Sequence, residues 1–236
     1  MMTLLSVCLS LAILSLQAEP PPSYQQTYAI FIRGAAAGTE TVREFKDKDG
    51  NRVVASRHEI LLSDSIETKR MAFETAMVFA KDSLVPLRYS YKYLSGDLKD
   101  YYEVTIKDSK INRILSRGGN IVESSGAWQP GMLILDFNVY HHYDIISRLY
   151  DFKLRGRQIF TDFMPVIGNE VGLAVTWLED AKLEYGKGTI PVRNFKIEFM
   201  GIRTGNFSTD MDGRLVRLVM REQDLEVVRK DLVPEK

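Results

Sequence analysis

LILDFNVYHHYDIISRLYDFKLRGRQIFTDFMP, residues 133–165, is where the alternating rhythm of this chain gives way to a helical one. Val139, Tyr143, Ile146 and Tyr150 recur at spacings of four, three and four, the apolar stripe of a helix seated on a core. Asp136 or Asn138 is placed to cap its start. Arg148 and Lys153 lie near its end, where cations suit the helix dipole. The period then returns to two in Gln158-Ile159-Phe160-Thr161-Asp162-Phe163. The stretch predicts a helix from Asn138 to Asp151.

Working outward, nearly everything else reads as strand and turn. Tyr28, Ile30 and Ile32 alternate with Ala29, Phe31 and Arg33, and Gly34-Ala35-Ala36-Ala37-Gly38 reads as a turn of small residues. Asp47-Lys48-Asp49-Gly50-Asn51 is an Asp-Gly hairpin signal. Residues 66–81 hold good helix formers, yet Met71, Phe73, Met77 and Phe79 share one parity, so this segment is read as a strand. About a dozen strands result, at the spacing of meander sheets, with no repeat or second-domain linker. A sheet of that size must twist and curl. The expected fold is mainly β: one large curled antiparallel sheet, a half-barrel or open barrel, with a single long helix packed on its concave face.

The 236 residues suit one large β domain. Lys plus Arg and Asp plus Glu both number 31, so no global field draws the chain to nucleic acid or an anionic membrane. Residues 1–18 form an apolar run ending in Leu16-Gln17-Ala18, too short for a confident membrane span, and are read as a secretory signal peptide. No Lys or Arg precedes the run, which leaves a retained anchor as the alternative. Residues 19–26 read as a Pro-rich leader and 27–233 as a single β-rich domain. Cys8 is the only cysteine. If it leaves with the signal, disulfides, thiolate catalysis and Cys-bound metals leave with it.

Four features come in one order: the opening strand with Gly34 and Gly38, the segment Leu84-Val85-Pro86-Leu87-Arg88-Tyr89, the helix with Asp144-Ile145-Ile146-Ser147-Arg148-Leu149-Tyr150, and the closing Asp210-Met211-Asp212-Gly213-Arg214-Leu215-Val216-Arg217-Leu218. Together they resemble an uncharacterised family of exported bacterial proteins, the domain of unknown function numbered thirty-one-zero-eight. Its shape resembles the half-barrels of the outer-membrane lipoprotein carriers. The resemblance spans most of residues 27–230 and implies a curled antiparallel sheet and an envelope location: periplasm, with the extracellular side as the alternative. It implies no activity.

Candidate chemistry is sparse. His141 and His142 are adjacent, about 100° apart on a helix, so they are not expected to share a metal. His58 sits in a strand with no carboxylate at ligand spacing beside it. A structural role is expected for all three, and neither metal nor cofactor. Asp136, Asp144 and Asp151 fall roughly on one helical side, but caps and solvated charges explain them as well as acid–base work does. No nucleophile elbow, phosphate loop or zinc-helix motif occurs. Met71, Phe73, Met77 and Phe79 form a pliable wall, and with Tyr143 and Ile146 they are the expected lining for an apolar ligand. Arg148, Lys153, Arg155 and Arg157 are the expected patch for an anion or a partner.

The sequence therefore points to a non-enzymatic envelope protein that binds an apolar or amphiphilic, lipid-like molecule between curved sheet and helix, with peripheral membrane contact compatible. The alternative is a structural or assembly factor that pairs with another envelope protein through sheet edges or the basic patch.

Overall fold

The computed structural model describes residues 21–63, 68–94, 100–186, 188–199 and 203–234. The expected signal peptide lies outside the described residues. Strand formation begins at Tyr24, inside the stretch that composition reads as a leader, because Tyr24–Ile32 pairs along its whole length with the strand that follows.

Eight strands come first: β1 (Tyr24–Ile32), β2 (Ala35–Lys46), β3 (Arg52–Ser63), β4 (Thr68–Phe79), β5 (Pro86–Tyr93), β6 (Tyr101–Lys107), β7 (Lys110–Arg117) and β8 (Asn120–Ala127). Seven follow: β9 (Leu133–Ile134), β10 (Arg157–Met164), β11 (Asn169–Tyr185), β12 (Gly188–Phe199), β13 (Arg203–Thr209), β14 (Leu215–Met220) and β15 (Leu225–Arg229). All belong to one sheet, ordered β8-β7-β6-β5-β4-β3-β2-β1-β15-β14-β13-β12-β11-β10-β9. Two meanders thus grow outward from the antiparallel pair β1–β15, with Ile30 opposite Val227. The ambiguous segment 68–79 is indeed strand, paired with β3 on one side and β5 on the other.

Only five residues, 128–132, lead from β8 at one edge of the sheet to β9 at the other. Six peptide steps reach about 21 Å at most. The sheet must therefore curl until its edges approach. Arg113 on β7 spans that seam, donating from Nε to the Pro165 carbonyl at 2.6 Å and from Nη2 to the Val166 carbonyl at 3.2 Å.

β9 pairs with β10 in parallel, Leu133 with Asp162 and Ile134 with Phe163. A parallel pair needs a crossover connection. Here that crossover is residues 135–156, and it runs through the inside of the curl. The single long helix expected from Asn138 to Asp151 is corrected: a 3₁₀ turn at Tyr140–His142 leads into a short helix, α1 (Tyr143–Leu149). Neither expected cap operates, since α1 follows directly from the 3₁₀ turn and the backbone of Asn138 is left-handed, at φ 65°. The reason is enclosure. Val139, Tyr143, Ile146 and Tyr150 are buried as the stripe predicts, but so are Tyr140, His141, His142, Asp144, Ile145 and Ser147. A helix buried on every side is held by its surroundings, and its length is set by the diameter it must cross.

The interior forms one continuous apolar core, including Phe73, Met77, Phe79, Ile146, Phe195 and Phe207. A small second cluster, Val192, Val216, Val228 and Leu232, sits on the opposite face of the sheet.

Candidate functional site

A line of polar groups runs through this apolar interior. On β2, Glu40, Val42 and Glu44 are buried on one parity, and on β3 Val54, Ser56, His58 and Ile60. Glu40 stands directly opposite His58 and Ser56 opposite Thr75 on β4. Directly opposed residues hold their Cβ atoms about 5 Å apart, within side-chain reach. The crossover brings His141 from the other side.

His141 Nδ1 lies 2.6 Å and His58 Nε2 3.1 Å from the same oxygen, Glu40 Oε1. The three side chains are 0–2% exposed. Burial pushes the Glu40 carboxyl up, but the two histidines, by charge and hydrogen bond, hold it well below the usual carboxylate range. Ser56 Oγ touches His58 Nε2 at 2.9 Å and Thr75 Oγ1 at 2.7 Å. Phe73 stacks on the His58 ring, centroids 4.1 Å apart. Glu40 Oε2, His58 Nδ1 and His141 Nε2 are buried without a hydrogen-bond partner. Among the described residues this is the group of His, Asp and Glu able to hold a metal ion.

Toward the start of the crossover, His142 Nδ1 accepts the Asp136 backbone N–H at 3.1 Å. The Tyr89 hydroxyl donates to Asp136 Oδ2 at 2.8 Å, and the Tyr102 hydroxyl donates to the same oxygen. Burial raises the Asp136 carboxyl to about 6 despite those phenols. Asp136, with Tyr91, Tyr93 and Tyr102, lines a cleft of about 230 Å³.

Near the end of α1 a larger cleft of about 630 Å³ opens between the β2–β3 hairpin, the β4–β5 turn and the residues just before β14. Arg52 pairs with Glu44 at 2.5 Å, and Arg214 pairs with the other oxygen of that carboxylate. Arg214 also lies 3.5 Å from Asp144, whose carboxyl burial raises to about 6 against the Leu215 N–H and the nearby arginines. Arg148 borders the same cleft, and its guanidinium makes no ion pair or hydrogen bond among the described residues. Lys46 adds a fourth cation and Asp82, 3.8 Å from it, a third acid. Phe45, Leu84 and Leu149 supply apolar wall.

The residues expected to line a ligand pocket lie elsewhere. Phe73, Met77, Phe79, Tyr143 and Ile146 are packed in the core, with Met71 half-buried against it. Of the expected cationic patch only Arg148 faces the large cleft. Arg157 pairs with Glu198 at 3.3 Å, Arg155 lies over the Trp177 ring, and Lys153 is exposed in the turn after α1. Asp151 caps that turn, receiving the Lys153 N–H at 2.8 Å, so it does not join Asp136 and Asp144 in the interior. Sequence reasoning missed Glu40, Glu44, Arg52 and Arg214. The available signal was parity: Glu40 and Glu44 flank Val42, and Ser56 and His58 lie between Val54 and Ile60, all on the apolar phase of their strands.

No family model matches the chain, and no curated protein matches it. Among solved structures it is similar to a beta-barrel-like protein of domain of unknown function DUF1849 from Brucella abortus. The TM-score is 0.59 at 12% identity, over 87% of this chain and 94% of that one. The likeness is one of fold alone, to a barrel-like domain of unknown function, and it supports neither the number thirty-one-zero-eight nor a likeness to the lipoprotein carriers.

Proposed function

We propose that this is an exported envelope protein that binds an amphiphile with an anionic head, without catalysis, in the cleft lined by Arg52, Arg148 and Arg214. The observation that carries the reading is the excess of cations there: Arg52, Arg148, Arg214 and Lys46 face three carboxylates, Glu44, Asp144 and Asp82, and Arg148 makes no direct ion pair among the described residues. An incoming carboxylate or phosphate would supply the missing charge, and guanidinium forks favour both groups. Phe45, Leu84 and Leu149 would take the start of an apolar tail. The ligand class is the one the sequence suggests, but its place moves from beneath the helix to the mouth of the barrel, because the side chains beneath the helix fill that space themselves.

Calorimetric titration with dodecyl phosphate and with dodecanol tests it. Saturable binding of the phosphate alone, weakened roughly tenfold or more by Arg148→Ala, supports the proposal. Equal binding of both compounds, or of neither, overturns it.

A second reading, a factor that pairs with another envelope protein, is favoured by β8. This edge strand is exposed along its whole length, with Ile121 at 62% and Val122 at 52%. An unpaired apolar edge invites strand addition. Replacing Val122 with Lys should abolish such pairing and leave anion binding untouched.

A further inference from the structure

We propose that Glu40, His58 and His141 form a binding site for a divalent transition-metal ion, with zinc the best match to the donors. The site is separate from the anion cleft and stands whether or not that cleft binds an amphiphile.

The donor set comes first. Two imidazole nitrogens and a carboxylate are ligands that zinc accepts, and three protein ligands leave a further position for another donor. Their ligating atoms all lie within 4.8 Å of one another. A tetrahedral ion about 2.0–2.1 Å from each donor needs donors about 3.3 Å apart. His58 Nε2 and Glu40 Oε1 are already at 3.1 Å, and His141 Nδ1, at 2.6 Å, would move by about 0.7 Å to reach that spacing.

The unpartnered atoms point the same way. Both rings and the His141 backbone N–H, at 3.5 Å, converge on Glu40 Oε1, while Oε2 of that fully buried carboxylate has no partner. Buried carboxylate oxygens are ordinarily satisfied, and one left bare calls for a partner that a bound ion would supply. A metal would take the lone pairs of His58 Nε2 and His141 Nδ1, in place of the hydrogens these nitrogens direct at Glu40 Oε1, and leave the ring protons on His58 Nδ1 and His141 Nε2.

The rings are also held in place. Phe73 stacks on the His58 ring and fixes its plane. Ser56 Oγ, held by Thr75, meets the same His58 Nε2 that would ligate, so that hydrogen bond gives way when the lone pair turns to an ion. His142 packs against His141 with centroids 4.7 Å apart.

The test uses the purified, folded chain, stripped with a chelator. Zinc or cobalt is added to the native protein and, separately, during refolding from urea, followed by gel filtration and elemental analysis. One-to-one retention is expected, with cobalt giving the visible absorption of a low-coordinate nitrogen–oxygen site. Glu40→Gln and His141→Gln should each lose that retention. Ser56→Ala, which keeps all three ligands and removes only the hydroxyl that competes for His58 Nε2, should retain the metal. Circular dichroism identifies any variant that fails to fold, and the wild-type stoichiometry and cobalt spectrum decide the matter without the variants. Folded wild-type protein that retains neither metal by either route overturns the proposal. So does retention that Glu40→Gln, folded, leaves unchanged, since the metal would then sit elsewhere.

Discussion

Nδ1 of His141, on the 3₁₀ turn inside the barrel, lies 2.6 Å from Oε1 of Glu40 on β2, a residue 101 positions earlier in the chain. One contact thus ties the crossover to the sheet that encloses it. Removing Glu40 leaves both imidazoles and the His141 N–H buried without their shared acceptor. Glu40→Ala should cost about 1–3 kcal/mol in metal-free protein, measured by urea unfolding. A cost under about 1 kcal/mol would mean that the histidines find other partners at no expense.

Ile146 is fully buried on α1. Ile146→Ala should lower stability by about 2–5 kcal/mol, through lost burial and the cavity left behind. Ile146→Asp should prevent folding altogether, because an unpaired carboxylate in this core costs several kcal/mol against a total stability of roughly 5–15. Thermal melts followed by circular dichroism distinguish the two, and an unchanged melting temperature for Ile146→Asp would contradict the buried position.

Acidity should matter through Asp136. Its folded carboxyl, raised by burial to about 6, lies above its ordinary value of 3.8. Between those values the folded state binds more protons than the unfolded one, so this group stabilises the fold as pH falls and destabilises it as pH rises toward 7. His142, which burial holds well below its ordinary value, works in the opposite direction. The comparison is therefore with Asp136→Asn. Wild-type stability relative to that variant should fall by about 1–2 kcal/mol from pH 5 to pH 7.5, read from urea midpoints. A constant difference would show that the carboxyl does not titrate in this window.

Two glycines that look alike in sequence should behave differently. Gly34 turns the chain at φ 74° with open space where a Cβ would be. Gly34→Ala should cost about 1–2 kcal/mol, the ordinary left-handed penalty. Gly38 is no turn residue: it lies within β2, and a Cβ there would meet the Glu59 carbonyl oxygen of β3 at 2.0 Å. Gly38→Ala should cost about 3 kcal/mol, since backbone must move to admit it. Melting temperatures of the two variants rank them.

Strands were readable from this sequence because alternation is local. Each of β1, β4, β11 and β12 carries its own inward and outward parity, and the Asp47–Asn51 and Asp210–Gly213 hairpins carry their own turn chemistry. β8 was missed because Asn120–Ala127 buries no side chain, so nothing in it alternates. The helix stripe was right in its residues and wrong in its extent. Periodicity reports which side of a helix is apolar, but only the enclosing sheet determines how far the helix runs and that its polar side is buried as well.

By itself the sequence determined the β class and the stripe Val139-Tyr143-Ile146-Tyr150, both consequences of near-neighbour spacing. Only the tertiary structure decided which polar residues meet. Glu40 reaches His58 through strand register and His141 through a crossover closed 101 residues later. Arg214 meets Glu44 across 170 residues. Such contacts depend on the curl of the whole sheet, the summed twist of many strand pairs, and no local pattern encodes that sum.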